Sequence, residues 1–133
     1  MVYGPGRETG VSAGPSLACR AAARGEAYTI GYTGVSGLIY VDDVAKAFEH
    51  ALFTPHRGAD VYNLVGDISS IDDVIAELRR KVPGAQLQAE GPPLTIAAGI
   101  TEHGLDTLLP GHRHTRLADG LSATVEHYRA QCA

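Results

Sequence analysis

An α/β fold is predicted from three observations. Residues 38–41 (Leu-Ile-Tyr-Val) form a short apolar run rich in β-branched and aromatic residues, as a buried strand requires. That run passes directly into a helical pattern in which Val44, Ala47, Phe48, Ala51 and Leu52 form one apolar stripe. Elsewhere short strand-like runs alternate with helical stretches, the signature of helices packed on a largely parallel sheet.

The central joint has its own punctuation. Asp42 occupies the position of an N-cap, and Asp43, Lys46, Glu49 and His50 fall on the face opposite the apolar stripe. Pro55 closes the helix.

Upstream, Val2-Tyr3 reads as the tail of a strand, and Gly4-Pro5-Gly6 as a turn. Gly14-Pro15 supplies the cap and first position of an Ala-rich helix through Arg24, with Gly25 as its stop. Residues 27–31 form the next strand, followed by a loose turn over residues 33–37. Downstream, residues 61–65 (Val-Tyr-Asn-Leu-Val) read as a strand. Ser70 and Asp73 match a capping box, and Ile71, Val74, Ile75, Leu78 and Val82 keep the helical period. Arg79, Arg80 and Lys81 complement that helix's dipole before Pro83-Gly84 ends it. Residues 86–90 alternate like an edge strand. Residues 94–100 are ambiguous, and 105–109 suggest a helical turn. Leu117, Leu121, Val125 and Tyr128 mark a terminal amphipathic helix.

The bulk properties fit one soluble domain: 133 residues, 44% hydrophobic and 20% charged, with a formal charge of −4. Lys and Arg are scattered, which argues against a nucleic-acid surface. No apolar run is long enough to span a bilayer. Cys19 and Cys132 stand far apart without CxxC spacing, so a reducing cytoplasm is the expected location.

Three chemical motifs are weaker than they look. Gly4-x-Gly6-x-x-x-Gly10 resembles a dinucleotide loop but follows only two residues and contains Pro5. Gly10-Val11-Ser12-Ala13-Gly14 matches a nucleophile elbow, yet no strand delivers Ser12; Asp60 and His112 would be its nominal partners. Glu102, His103, Asp106, His112 and His114 contain metal-ligand types, and a solvated turn explains them better.

Four segments in order resemble the extended short-chain dehydrogenase/reductase family, the NAD-dependent epimerases and dehydratases. They are Val2-Tyr3-Gly4-Pro5-Gly6-Arg7, the stretch from Leu38 to Ala47, Val61-Tyr62-Asn63-Leu64-Val65-Gly66 with Ser69-Ser70, and Asp119-Gly120-Leu121 with Thr124 and Tyr128. The resemblance implies the C-terminal portion of a Rossmann-type fold: late parallel strand or strands plus the small substrate-binding subdomain, residues 1–133 forming one unit. The dinucleotide-binding half, with its glycine-rich loop, acidic ribose-binding residue and Tyr-x-x-x-Lys pair, would lie upstream of Met1. Neither Lys46 nor Lys81 has a tyrosine four residues before it. Ser36-Gly37 stands where many relatives acting on nucleotide-sugars carry Arg-Asp, leaving smaller substrates open.

The resemblance therefore implies the substrate-binding part of an NAD(P)-dependent epimerase, dehydratase or reductase. Its substrate would be sugar-like or a small carbonyl or hydroxyl compound, and this chain alone would be catalytically incomplete. Tyr3, Gly4, Pro5, Gly6 and Arg7 would border the substrate, with Ser12 and Ser16 lining the pocket. NAD or NADP would serve the parent family, with none bound by this chain alone. A Rossmann half, a complementary subunit or self-association would cover its apolar faces. The alternative is a non-catalytic binding or assembly module derived from that family.

Overall fold

The computed structural model describes residues 1–94, 99–101 and 105–132. Within them lie β1 (Val2–Tyr3), α1 (Gly14–Arg24), β2 (Tyr28–Ile30), β3 (Val35–Tyr40), α2 (Val41–Phe53), β4 (Asp67–Ser70), α3 (Ile71–Lys81), β5 (Leu87–Ala89), α4 (Leu105–Leu108) and α5 (Leu117–Ala130).

The strands form two small sheets. In the first, β3 is central: β1 runs parallel to it, with Val2 opposite Ile39 and Tyr3 opposite Tyr40. On its other side β4 runs antiparallel, from Val35 opposite Ser70 to Leu38 opposite Asp67. The second sheet pairs β2 and β5 in parallel, Tyr28 opposite Leu87 and Ile30 opposite Ala89, and a bridge from Thr33 to Pro93 extends it. Helices α1, α3 and α5 close over one core containing Tyr3, Cys19, Leu38, Val74, Leu78, Leu121, Val125 and Tyr128.

Helix α3 forms as its sequence requires. The Ser70 hydroxyl accepts from the Asp73 N–H at 3.0 Å and the Asp73 carboxylate accepts from the Ser70 N–H at 2.9 Å. Ile71, Val74, Ile75 and Leu78 are all buried. In α5, Leu117, Leu121, Val125 and Tyr128 likewise face the core. Helix α1 begins on Gly14, with Ala13 rather than Gly14 as its N-cap and Pro15 in its first turn, and Gly25 in the left-handed region donates back to Ala21 and Ala22 carbonyls.

Other expectations need correction. Residues 61–65 belong to no strand; the strand in this part of the chain is β4, beginning at Asp67. Gly66 brings the backbone so close to β3 that a Cβ there would stand 1.8 Å from the Leu38 carbonyl oxygen. Residues 35–37, expected in a turn, are the first half of β3, because β4 gives them a hydrogen-bonding partner.

At the central joint, Tyr40 is the N-cap, without a side-chain cap bond, and Asp42 sits exposed in the first turn. The buried side of α2 is the one carrying Asp43 and Ala47, one turn apart, with Asp43 only 2% exposed. Phe48 and Leu52 from the expected core stripe are 72% and 77% exposed, as is neighbouring Phe53 at 76%. A separate small cluster joins Ala47 to Leu105 and Leu109, flanked by Tyr62 and Leu64.

Candidate functional site

The loop between β1 and α1 folds tightly onto itself. Gly4 has φ +133°, and a Cβ there would meet Val41 Cγ1 at 2.6 Å, so both conformation and space demand glycine. Its N–H donates to the Ser16 hydroxyl at 3.0 Å, tying the loop to α1. The Arg7 N–H donates to the Gly4 carbonyl at 3.2 Å. The Arg7 guanidinium turns back over the loop, donating to the Thr9 carbonyl and to the Ser12 hydroxyl, the latter at 2.9 Å.

The expected site residues thus divide into two groups. Tyr3, Gly4 and Ser16 are buried, with Tyr3 and Ser16 supporting the loop from beneath. Tyr3 lies against the Tyr40 ring at 5.7 Å, and its hydroxyl donates to the Leu117 carbonyl at 3.4 Å. Burial, followed by nearby Cys19, Asp67, Asp43 and Tyr40, pushes the Tyr3 phenol well above its ordinary range. Pro5, Gly6, Arg7 and Ser12 occupy the outer side, at least partly open to solvent.

Beside this loop lies a cleft of about 380 Å³. Gly10 and Val11 form one wall, Gly14 and Leu17 of α1 its floor, and Tyr28, Gly31, Tyr32 and residues 92–94 the far side. Burial pushes the Tyr32 phenol up to about 12, with the Gly14 backbone bond pulling the other way, and the Tyr28 phenol is also raised by burial. Both phenols therefore stay protonated at neutral pH and serve as neutral hydrogen-bonding groups with apolar faces. Among the described residues no charged side chain lines the cleft. Such a lining suits a neutral ring carrying hydroxyl or carbonyl groups.

None of the seven expected residues lines the cleft directly. The residues the sequence reasoning missed are Val11, Leu17, Tyr28 and Tyr32. Their signal was Gly31-Tyr32 directly after β2, facing Pro92-Pro93 across the Thr33–Pro93 bridge.

Two carboxylates, those of Asp43 and Asp67, converge elsewhere, on residues 114–117. Asp43 accepts from the Thr115 N–H at 2.6 Å and from its hydroxyl at 2.9 Å. Asp67 accepts from the Leu117 N–H at 2.5 Å and pairs with His114 Nε2 at 2.9 Å. These acids hold the start of α5, whose N-cap Arg116 makes no side-chain cap bond. Among the described residues no group of three or more potential ligands could hold a metal ion, and Glu102 and His103 lie outside them. Ser12 follows no strand: β1 ends at Tyr3.

A dinucleotide does not fit the glycine loop. No helix opens at its last glycine, α1 beginning only at Gly14, and the Arg7 guanidinium crosses the loop to the Thr9 carbonyl and the Ser12 hydroxyl. Tyr-x-x-x-Lys is absent from the sequence.

No protein-family model matches the sequence, and no curated protein matches it. Solved structures do. UDP-glucose 4-epimerase of Thermotoga maritima, with UDP-glucose, superposes with a TM-score of 0.74 at 24% identity, over 99% of this chain and 44% of that one. MoeE5 in complex with UDP-glucuronic acid and NAD gives 0.78 at 22% identity, over 100% and 46%. A consensus L-threonine 3-dehydrogenase gives 0.75 at 20% identity, over 97% and 46%. The chain spans under half the length of these proteins. At 20–24% identity the likeness shows the fold, an α/β unit corresponding to about half of a Rossmann-type extended short-chain dehydrogenase.

Proposed function

We propose that this chain is the substrate-binding part of an NAD(P)-dependent epimerase, dehydratase or reductase, with a sugar-like or small carbonyl or hydroxyl compound as its ligand. The superposition carries the reading: a UDP-glucose-bound epimerase and MoeE5, bound to UDP-glucuronic acid and NAD, match over essentially the whole chain. The tyrosine-lined cleft beside residues 4–12 is the ligand's seat. Its neutral lining favours the sugar ring over a charged group, and Arg7 at the loop's outer side is the available cation for an anionic substituent. Because these residues do not fit a dinucleotide, hydride transfer belongs to residues outside this chain, and the chain's contribution is binding and orientation.

Melting curves test this. Binding to the folded state raises Tm. UDP-glucose or free glucose should stabilise the chain, the shift should vanish in Val11→Glu, and NADH should leave Tm unchanged. Stabilisation by NADH with none from either sugar ligand would overturn the proposal.

A non-catalytic assembly module is favoured by one observation, the apolar surface of α2 with Val61 (92% exposed) nearby in sequence. In either reading a Rossmann half, another subunit or a second copy covers that face. Sedimentation as a monomer with a dispersed NMR spectrum would count against such a partner.

A further inference from the structure

Glu8 connects three parts of the fold. It belongs to the loop that forms one wall of the cleft. Its Oε2 lies 2.6 Å from Arg20 Nη1 on α1, and its Oε1 accepts from the Tyr128 hydroxyl of α5 at 2.9 Å. Both carboxylate oxygens are engaged by different helices, one through an ion pair and one through a phenol. The Tyr128 phenol is pushed up to about 12, by burial first and by the Glu8 bond second, so it remains a donor at neutral pH. Arg20 also reaches the cleft electrostatically, its charge acting on Tyr28.

Of the three side chains only Tyr128 belongs to the core. The Glu8 and Arg20 side chains are 38% and 32% exposed, and an exposed ion pair adds little to global stability. What it does hold is the loop. Residues 4–7 are fixed by the Ser16 and Gly4 bonds and residues 10–13 by the Ala13 N–H on the Gly10 carbonyl, while Glu8 is the tie from the segment between them to α5.

We propose that Glu8 is a positioning residue: it latches the loop to α1 and α5 and thereby sets the place of the Gly10–Val11 wall of the cleft. The ligand-binding consequence rests on the cleft being the substrate site; the latch itself does not.

The test uses native-state hydrogen exchange on the unliganded chain, followed by UDP-glucose titration as a separate readout. In Glu8→Gln, which keeps the side chain's shape, and in Glu8→Ala, the Arg7 and Ala13 amides should exchange about fivefold faster, the scale of losing one partly exposed tie. The amides of Val74 in α3 and Val125 in α5 should keep their rates. Glu8→Asp should recover part of the protection, and Tyr128→Phe should reproduce part of the loss. Unchanged loop exchange in Glu8→Ala would overturn the latch. An equal acceleration in α3 and α5 would also overturn it, making Glu8 a residue of global stability. A loosened loop with no UDP-glucose binding to the wild-type chain would leave the latch standing and remove the substrate reading. Loosening with weaker UDP-glucose binding supports both.

Discussion

Replacing Gly120 by alanine tests whether α5 and the first strand are as closely fitted as the geometry indicates. Alanine inside a helix normally stabilises by about 1 kcal/mol over glycine. Here the added methyl would stand 2.1 Å from the Tyr3 hydroxyl oxygen, 2.9 Å from Cζ and 3.1 Å from Cε2. The ring cannot swing aside, because Tyr3 is fully buried, lies against Tyr40 and is bonded to the Leu117 carbonyl. Overpacking a core costs about 1–3 kcal/mol, and an overlap of more than an ångström belongs at the upper end. The net loss is then about 2 kcal/mol, or a fall of about 6–8 °C in Tm for a chain of this size. Thermal unfolding followed by circular dichroism reads it directly. In a Tyr3→Phe background the hydroxyl is gone, so the same substitution should cost about 1 kcal/mol less, as a double-mutant cycle would report. A Gly120→Ala protein as stable as wild type would refute the packing argument, and an unchanged cost in the Tyr3→Phe background would clear the hydroxyl as the obstacle.

Three further outcomes are expected. Asp43→Ala should lower stability in urea by about 2–3 kcal/mol, since the Thr115 N–H and hydroxyl lose a charged acceptor, and Asp43→Asn should recover part of it. The Asp73 carboxyl is held below its ordinary 3.8 by hydrogen bonds from the Ser70 side chain and backbone. A depressed folded value means its stabilisation is present above 3.8 and is lost as pH falls through the lower one. NMR titration of Ser70→Ala should therefore show Asp73 moving back up; no movement would contradict the capping box. Burial pushes the Cys19 thiol well up, whereas Cys132 is exposed, so a thiol-specific reagent should label Cys132 in the native protein and Cys19 only after unfolding.

Much of the architecture was legible because it is locally determined. Ser70, Asp73 and the stripe from Ile71 to Leu78 specify α3 from within eleven residues, and Pro15 with Gly25 bounds α1 equally well. The orientation of α2 was not legible. Its stripe of Val44, Phe48 and Leu52 is genuinely amphipathic, but which side becomes buried depends on what lies beside it, and here Thr115, seventy-two positions away, claims Asp43. Residues 61–65 illustrate the same point: strand propensity is a preference for a half-buried pleated surface, and a ladder needs a partner backbone at that place. The cleft was partly hidden for a related reason. The loop from Tyr3 to Arg7 has a recognisable pattern, but Tyr28, Tyr32 and Pro92 reach it only through the parallel pairing of β2 with β5, a contact some sixty residues apart in register.

The grip on residues 115–117 also governs when the fold can be completed. Tyr3, Asp43 and Asp67 reach that short segment from 114, 72 and 50 residues upstream. Contacts of such long range must overcome loop-closure entropy before they return any stability, which slows folding. On a ribosome, the strands and first three helices emerge well before α5, and until it arrives both aspartates and the Tyr3 hydroxyl lack these partners. The Tyr128 hydroxyl, 120 positions after Glu8, arrives later still. The loop between β1 and α1 is therefore locked by one of the last described segments to be synthesised, and nascent chains stalled before residue 117 should expose it to proteases that spare the finished protein.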